Sequence, residues 1–292
     1  MADLSLVMDA GGTTCRLALA QGGQMVAGSR ADVPTRGDPV AVCAAYLAGR
    51  PLAGAVLAGA GPVLHGRLSL TNADFVLDAA QLQATLGAPV HLVNDLVAQA
   101  HGLDSLPGDA GDLLLPGLAV PGAPRLIAGI GTGLNAAVLH GAGATLRVPP
   151  SEAGQTAMPA LPALAGFRGP TGARPVAEDL ISGPGLARLH LHLTGQALSP
   201  ADVIAAGHGP TLEIWAEALG AWLADLALVH LAQGGLWLAG GVAAATAPHM
   251  PRHALQRGLH RAGAFKALLS GLPVRVISDD DLALRGAAAL TG

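Results

Sequence analysis

Aromatic side chains are almost missing from this 292-residue chain, at three Trp, three Phe and one Tyr, or 2%. With 51% apolar residues, the core must therefore be built from Ala, Leu and Val. Charge is scarce as well: 12% of residues are charged, the net charge is −4, and no basic cluster occurs. That excludes the electrostatic footprint of a nucleic-acid or anionic-membrane binder. Cysteine is limited to Cys15 and Cys43, too few for a four-sulfur zinc site. None of the eleven histidines falls in a His-Glu-x-x-His pattern. Mean hydropathy is high at +0.48. The longest apolar runs, 52–64 and 234–247, are broken by glycine or proline, short of the ~18–20 residues that span a bilayer. Met1-Ala2-Asp3 brings no positive charge ahead of the first apolar run, unlike a secretory signal, so a reduced, cytoplasmic setting is expected. No Gly-Lys-[Ser/Thr] loop exists, and no Gly-x-Gly-x-x-Gly is followed by a correctly placed acid.

The chain does have glycine, 41 residues of it, set in turns after short apolar strands. The first is Asp9-Ala10-Gly11-Gly12-Thr13-Thr14, between the runs Leu4–Met8 and Leu17–Ala20. Two apolar runs around Gly-Gly read as a β-hairpin. Bare N–H groups and two hydroxyls make such a turn a phosphate cradle, with Asp9 at the strand end placed to hold a metal ion through water. A hairpin without ligand is the alternative. A second hairpin, Arg125–Ile130 and Leu134–Leu139 around Gly131-Thr132-Gly133, repeats the pattern and points to an internal duplication in which two turns close on a triphosphate. Gly59-Ala60-Gly61 and Gly240-Gly241 follow two further strands.

Between the hairpins, strands at Ala53–Ala58 and Val90–Val93 and helices at Asp38–Ala48, Asp78–Thr85 (capped by Asp78) and Asp95–Gly102 predict a parallel sheet with an antiparallel edge. Gln24–Arg30 reads as a third strand of the opening meander. Residues 103–124 are patternless and mark a crossover. Thereafter helices dominate, at Glu178–Thr194 (broken at Ser182–Gly185), Ser199–Gly207, Thr211–Gln233, His249–Leu269 and Asp279–Leu290, with strands at Gly235–Ala239 and Val274–Ile277.

Val93-Asn94-Asp95-Leu96 sets an amide and a carboxylate where a buried strand ends and a helix begins, the end of α/β strands at which ligands bind. The helix dipole favours an ionised Asp95 able to accept a proton. Helix capping is the competing role. Glu152 and Glu178, beside Gly-rich turns and away from cations, suit the hydroxyls of a sugar; a solvated loop and a helix start are their structural alternatives.

Taken in order, Asp9–Arg16, Leu70-Thr71-Asn72, Val93–Leu96, Gly129–Leu134, Glu152-Ala153-Gly154, Glu178–Leu186, Leu238–Val242 and Leu284–Ala288 resemble the bacterial glucokinases nearly end to end. The resemblance implies two ribonuclease-H-like α/β domains of the actin-like ATPase fold with a cleft between them. The small domain is expected at 1–104 plus 279–292 and the large one at 105–278. It further implies transfer of the γ-phosphate of ATP, with Mg²⁺, to the 6-hydroxyl of glucose. By match, Asp95 is the base; Asn72, Asn94, Glu152, Gln155 and Glu178 meet the sugar. Asp9, Gly11, Gly12, Thr13, Thr14, Gly131, Thr132 and Gly133 hold phosphates and magnesium, and Gly240 and Gly241 the adenosine. A homodimer is implied too, with no nucleic acid or membrane partner.

Two departures stand out. Gln155 replaces the histidine usual after Glu-x-Gly, which leaves open another hexose, an amino sugar or a catalytically weak sugar binder. Asn135 stands where glycine is usual, which is expected to crowd the nucleotide side.

Overall fold

A buried strand needs apolar groups on both faces, and the opening run supplies them in a computed structural model that describes residues 4–70, 73–170, 172, 174–207, 209–260 and 263–292. Strand β1 (Ser5–Ala10) is buried along its whole length. Leu6, Met8 and Ala10 enter one core with Leu17, Leu57 and Phe75, while Val7 enters another with Ala98, Leu284 and Ala287. The chain continues through β2 (Thr14–Gln21), β3 (Gln24–Met25), β4 (Ala31–Pro34), α1 (Pro39–Leu47), β5 (Gly54–Gly59), β6 (Val63–Leu64), β7 (Arg67–Ser69), β8 (Val76–Asp78), α2 (Ala79–Leu86), β9 (Val90–Asn94) and α3 (Asp95–Asp104). Then come β10 (Asp112–Leu115), β11 (Arg125–Ile130), β12 (Leu134–Leu139), α4 (Glu178–Ile181), α5 (Gly183–Thr194), α6 (Pro200–Ala205), α7 (Gly209–His230), β13 (Leu236–Ala239), α8 (Gly241–Thr246), α9 (Arg252–Leu259), α10 (Lys266–Ser270), β14 (Val274–Val276) and α11 (Leu282–Ala289).

Two compact units result, residues 1–108 with 279–292, and residues 109–278. In the first, the sheet order is β3-β2-β1-β5-β9, with β4 also on β2. Strands β1 and β2 are antiparallel; β1, β5 and β9 run parallel. In the second, the order is β10-β14-β13-β11-β12, with β11 and β12 antiparallel and β11, β13 and β14 parallel. The sequence β2-β1-β5-β9 thus recurs as β12-β11-β13-β14 in order and sense, the structural form of the duplicated Gly-Thr hairpin.

Two of the three tryptophans anchor the second unit. Trp215 and Trp222 of α7 are buried in the core of the second unit, each such side chain contributing about 1.5–3 kcal/mol of burial. Their indole N–H groups donate to Ile181 O (3.0 Å) and to Ala153 O (3.4 Å) and Thr156 Oγ1 (3.3 Å).

Three sequence expectations change. Of Gln24–Arg30 only Gln24 and Met25 pair; the chain turns at Gly28 (φ 73°) and returns to the long edge of β2 as β4. The patternless 103–124 segment contains β10, paired with β14. His249–Leu269 divides into α9 and α10, with Pro251 delaying the start of α9. Among the described residues no helix is long and apolar enough to cross a membrane.

Candidate active site

In the first unit, the Asp9–Thr14 turn is held from two sides. Gly11 N–H donates to Thr14 O (3.1 Å) across the turn. From β4's end, Thr35 donates its backbone N–H to Thr13 O (3.0 Å) and its hydroxyl to Gly11 O (2.7 Å). Thr35 went unnoticed in the sequence because nothing in its surroundings shows a period or a motif. Asp9 is only 8% exposed and pairs across the strands with Arg16, whose Nη1 donates to Oδ2 at 3.2 Å. Burial pushes the Asp9 carboxyl up, and the Arg16 guanidinium opposes it.

At the end of β9, Asn94 acts as the N-cap of α3: Oδ1 accepts from Leu96 N (2.9 Å) and Nδ2 donates to Gly61 O (3.2 Å). Through that bond the Gly59-Ala60-Gly61 segment supports Asn94, while its glycines answer to close packing, a Cβ at Gly61 lying 2.4 Å from Ser69 O and one at Gly59 2.8 Å from the Leu68 side chain. Asp95 opens α3, half-buried, with Oδ1 also accepting from Leu96 N (2.9 Å). Asn94 and Asp95 thus share the Leu96 N–H at the helix start, with the Asp95 carboxylate at the positive end of the dipole. Asn72 lies outside the described residues.

In the second unit, the turn Gly131–Gly133, closed by Gly131 N–H to Gly133 O (3.0 Å), is the hub. Gly183 at the start of α5 donates its N–H to Gly131 O (2.8 Å). Gly240, between β13 and α8, has φ 96°, and a Cβ there would lie 2.6 Å from Ile130 O, so only glycine fits. Gly131 and Gly241 face open space. The Gly-rich segments at 131, 183 and 240 therefore converge, with open space beside Gly131 and Gly241. The part played by Gly183 had no sequence signal beyond the helix break.

Both candidate sugar carboxylates adjoin this hub. Glu178 Oε2 accepts from Leu134 N (2.8 Å), the first residue after the turn, and Oε1 accepts from Gln155 Nε2 (3.1 Å). That bond fixes the Gln155 amide and leaves its carbonyl oxygen and its second N–H for other partners. Glu152 precedes a single 3₁₀ turn, Ala153–Gln155. Partial burial, and secondarily the charge of Glu178, raise its carboxyl above the ordinary value. The Asn135 amide bonds to the Glu152 loop, with Nδ2 donating to Ser151 O (2.7 Å) and Oδ1 accepting from Ala153 N (2.9 Å).

Asp9 fits Mg²⁺ in chemical type. Among the described residues no cluster of three or more acidic, His or Cys side chains exists, and magnesium bound mainly by substrate phosphates and water needs only one or two carboxylates.

A family model described as Glucokinase matches residues 6–292. A glucokinase of Brucella abortus biovar 1 (strain 9-941) is 32% identical over 266 residues, 80% of this chain and 74% of that protein. The crystal structure of a glucokinase from an Antarctic psychrotroph superposes with a TM-score of 0.84 at 26% identity, covering 100% of this chain and 99% of that one. A ROK family glucokinase from Streptomyces griseus, solved with glucose and AMPPNP, shares the fold at a TM-score of 0.67 and 21% identity, covering 98% of each chain.

Proposed function

The chain belongs to the glucokinase family, and on that premise we propose how its residues divide the reaction. It is an ATP-dependent sugar kinase that phosphorylates glucose. In our assignment Asp95 orients the 6-hydroxyl and accepts its proton late, as suits a loose phosphoryl-transfer transition state. Asn94, Glu152, Gln155 and Glu178, with Asn72, hold the other hydroxyls. Gly12, Thr13 and Thr14 offer backbone and hydroxyl donors to phosphate oxygens, as do Thr132 and Gly133; Gly11 and Gly131, whose N–H groups close the two turns, let the phosphates approach closely, and Gly240 and Gly241 border the adenosine. Asp9 would hold Mg²⁺ through water, and the ion would supply charge neutralisation on the phosphoryl oxygens. The domains 1–104 with 279–292 and 105–278, the homodimer and the cytoplasmic setting belong to the same reading, as does the absence of nucleic-acid and membrane partners.

One observation carries the assignment: Leu134 N–H, directly after the Gly131–Gly133 turn, donates to Glu178. A phosphate-type turn and a sugar-type carboxylate are thereby built on one strand end. The proposal is tested by ADP release with a panel of hexoses. Sugar-dependent turnover led by glucose is expected; no sugar-dependent ADP release would refute it. Gln155, committed to Glu178, is the reason to include mannose and glucosamine in the panel. Light scattering tests the dimer, which requires twice 28.8 kDa.

A further inference from the structure

We propose that Asn135 is the positioning residue of the hexose loop, holding Ser151–Gln155 in the shape that presents Glu152 and Gln155 to the sugar. The inference rests on the assignment of those two residues to the sugar made above. Asn135 is the second residue of β12, opposite Gly129. Its amide reaches the carbonyl just before Glu152, at Ser151 (2.7 Å), and the N–H just after it, at Ala153 (2.9 Å). Bonding both neighbours with one planar group fixes the peptide units on either side of Glu152, and hence the direction in which its carboxylate leaves the backbone. Only Asn offers a donor and an acceptor at this reach; Asp lacks the donor and Gly or Ala lacks both.

The rest of the loop is held from other sides. Trp222 donates to Ala153 O and Thr156 Oγ1. Gly154 packs so closely on Leu134 that a Cβ would run into the Leu134 carbonyl oxygen. Gln155 is tied to Glu178, which is tied to Leu134. Consecutive residues of β12 therefore serve both acids, Leu134 through its backbone for Glu178 and Asn135 through its side chain for Glu152. The strand that begins at the phosphate turn is also the frame of the hexose site. Without Asn135 the loop ends would bond water, and the loop would have to be ordered each time sugar binds.

The test compares the parent, Asn135→Ala, Asn135→Thr and Glu152→Gln by calorimetric titration with glucose and by steady-state kinetics with glucose and ATP varied separately. Thr keeps strand propensity but cannot bridge both partners, so it decides the matter if the Ala variant does not fold. Expected for either Asn135 variant is about a ten-fold rise in glucose Kd and KM, equivalent to about 1.4 kcal/mol, with ATP KM and kcat within about two-fold. A role confined to stability would lower the melting temperature and leave glucose Kd unchanged, which overturns the proposal. If Glu152→Gln weakens glucose while the Asn135 variants do not, positioning by Asn135 is refuted and the site assignment stands. If Glu152→Gln also leaves glucose binding unchanged, the assignment of this loop to sugar fails and the proposal falls with it.

Discussion

The hydroxyl of Thr35 donates to the carbonyl oxygen of Gly11 over 2.7 Å, joining the end of β4 to the turn that follows β1. A glycine-rich turn has no side chains with which to hold itself, so its shape depends on partners of this kind. Thr35→Val removes this bond, of about 1 kcal/mol, and the weaker one between the hydroxyl and the Cys15 thiol (3.3 Å) at constant side-chain shape. The ATP KM is expected to rise about five-fold in steady-state kinetics, with glucose Kd unchanged. An unaltered ATP KM would show that the turn needs no such support.

Glu152 should lower stability at neutral pH in exchange for its role. A carboxyl whose folded pKa is raised binds its proton more tightly in the folded state. Its contribution therefore favours folding at low pH and is lost as pH rises above the ordinary value of 4.5. Glu152→Gln is expected to melt at or above the parental temperature at pH 7, the difference closing towards pH 4, while glucose binding weakens. In the parent, glucose KM should begin to rise on acidification at a higher pH than an ordinary glutamate would give, because the protonated acid loses acceptor capacity. Melting curves and glucose KM between pH 4 and 8 check both signs.

The two thiols should be inert in the folded protein. Cys15 and Cys43 are fully buried in one core. Burial pushes the Cys15 thiol up and that of Cys43 to about 12, leaving roughly one thiolate in ten thousand for Cys43 at pH 8. Iodoacetamide followed by mass spectrometry should find no adduct until denaturant is added, then two.

Much of this was legible because each apolar strand ends on a distinctive turn. Asp9–Thr14, Gly131–Gly133, Asn94-Asp95 and the two glutamates could all be located by position. What escaped depends on partners distant in sequence. Thr35 is one threonine in an irregular stretch, and only the pairing of β4 with β2 brings it to Gly11. Strand β10 carries three leucines after an acid, too short a run to show a period without β14 beside it. Asn135 showed in the sequence only as a side chain replacing glycine; the direction it takes is set by strand alternation and by the loop it meets. In a chain this poor in charge and aromatics, Ala and Gly fill both helices and turns, so the contrast that marks element ends is weak.

Asp95 carries the central claim, and the most direct test is kcat for glucose phosphorylation by Asp95→Asn. Asn fits the same space and keeps the acceptor for Leu96 N–H, but it cannot take the hydroxyl proton. The expected result is a fall in kcat of about 10²–10⁴-fold, with glucose Kd within a few-fold of the parent and an unchanged melting temperature. A kcat near the parental value would contradict the account.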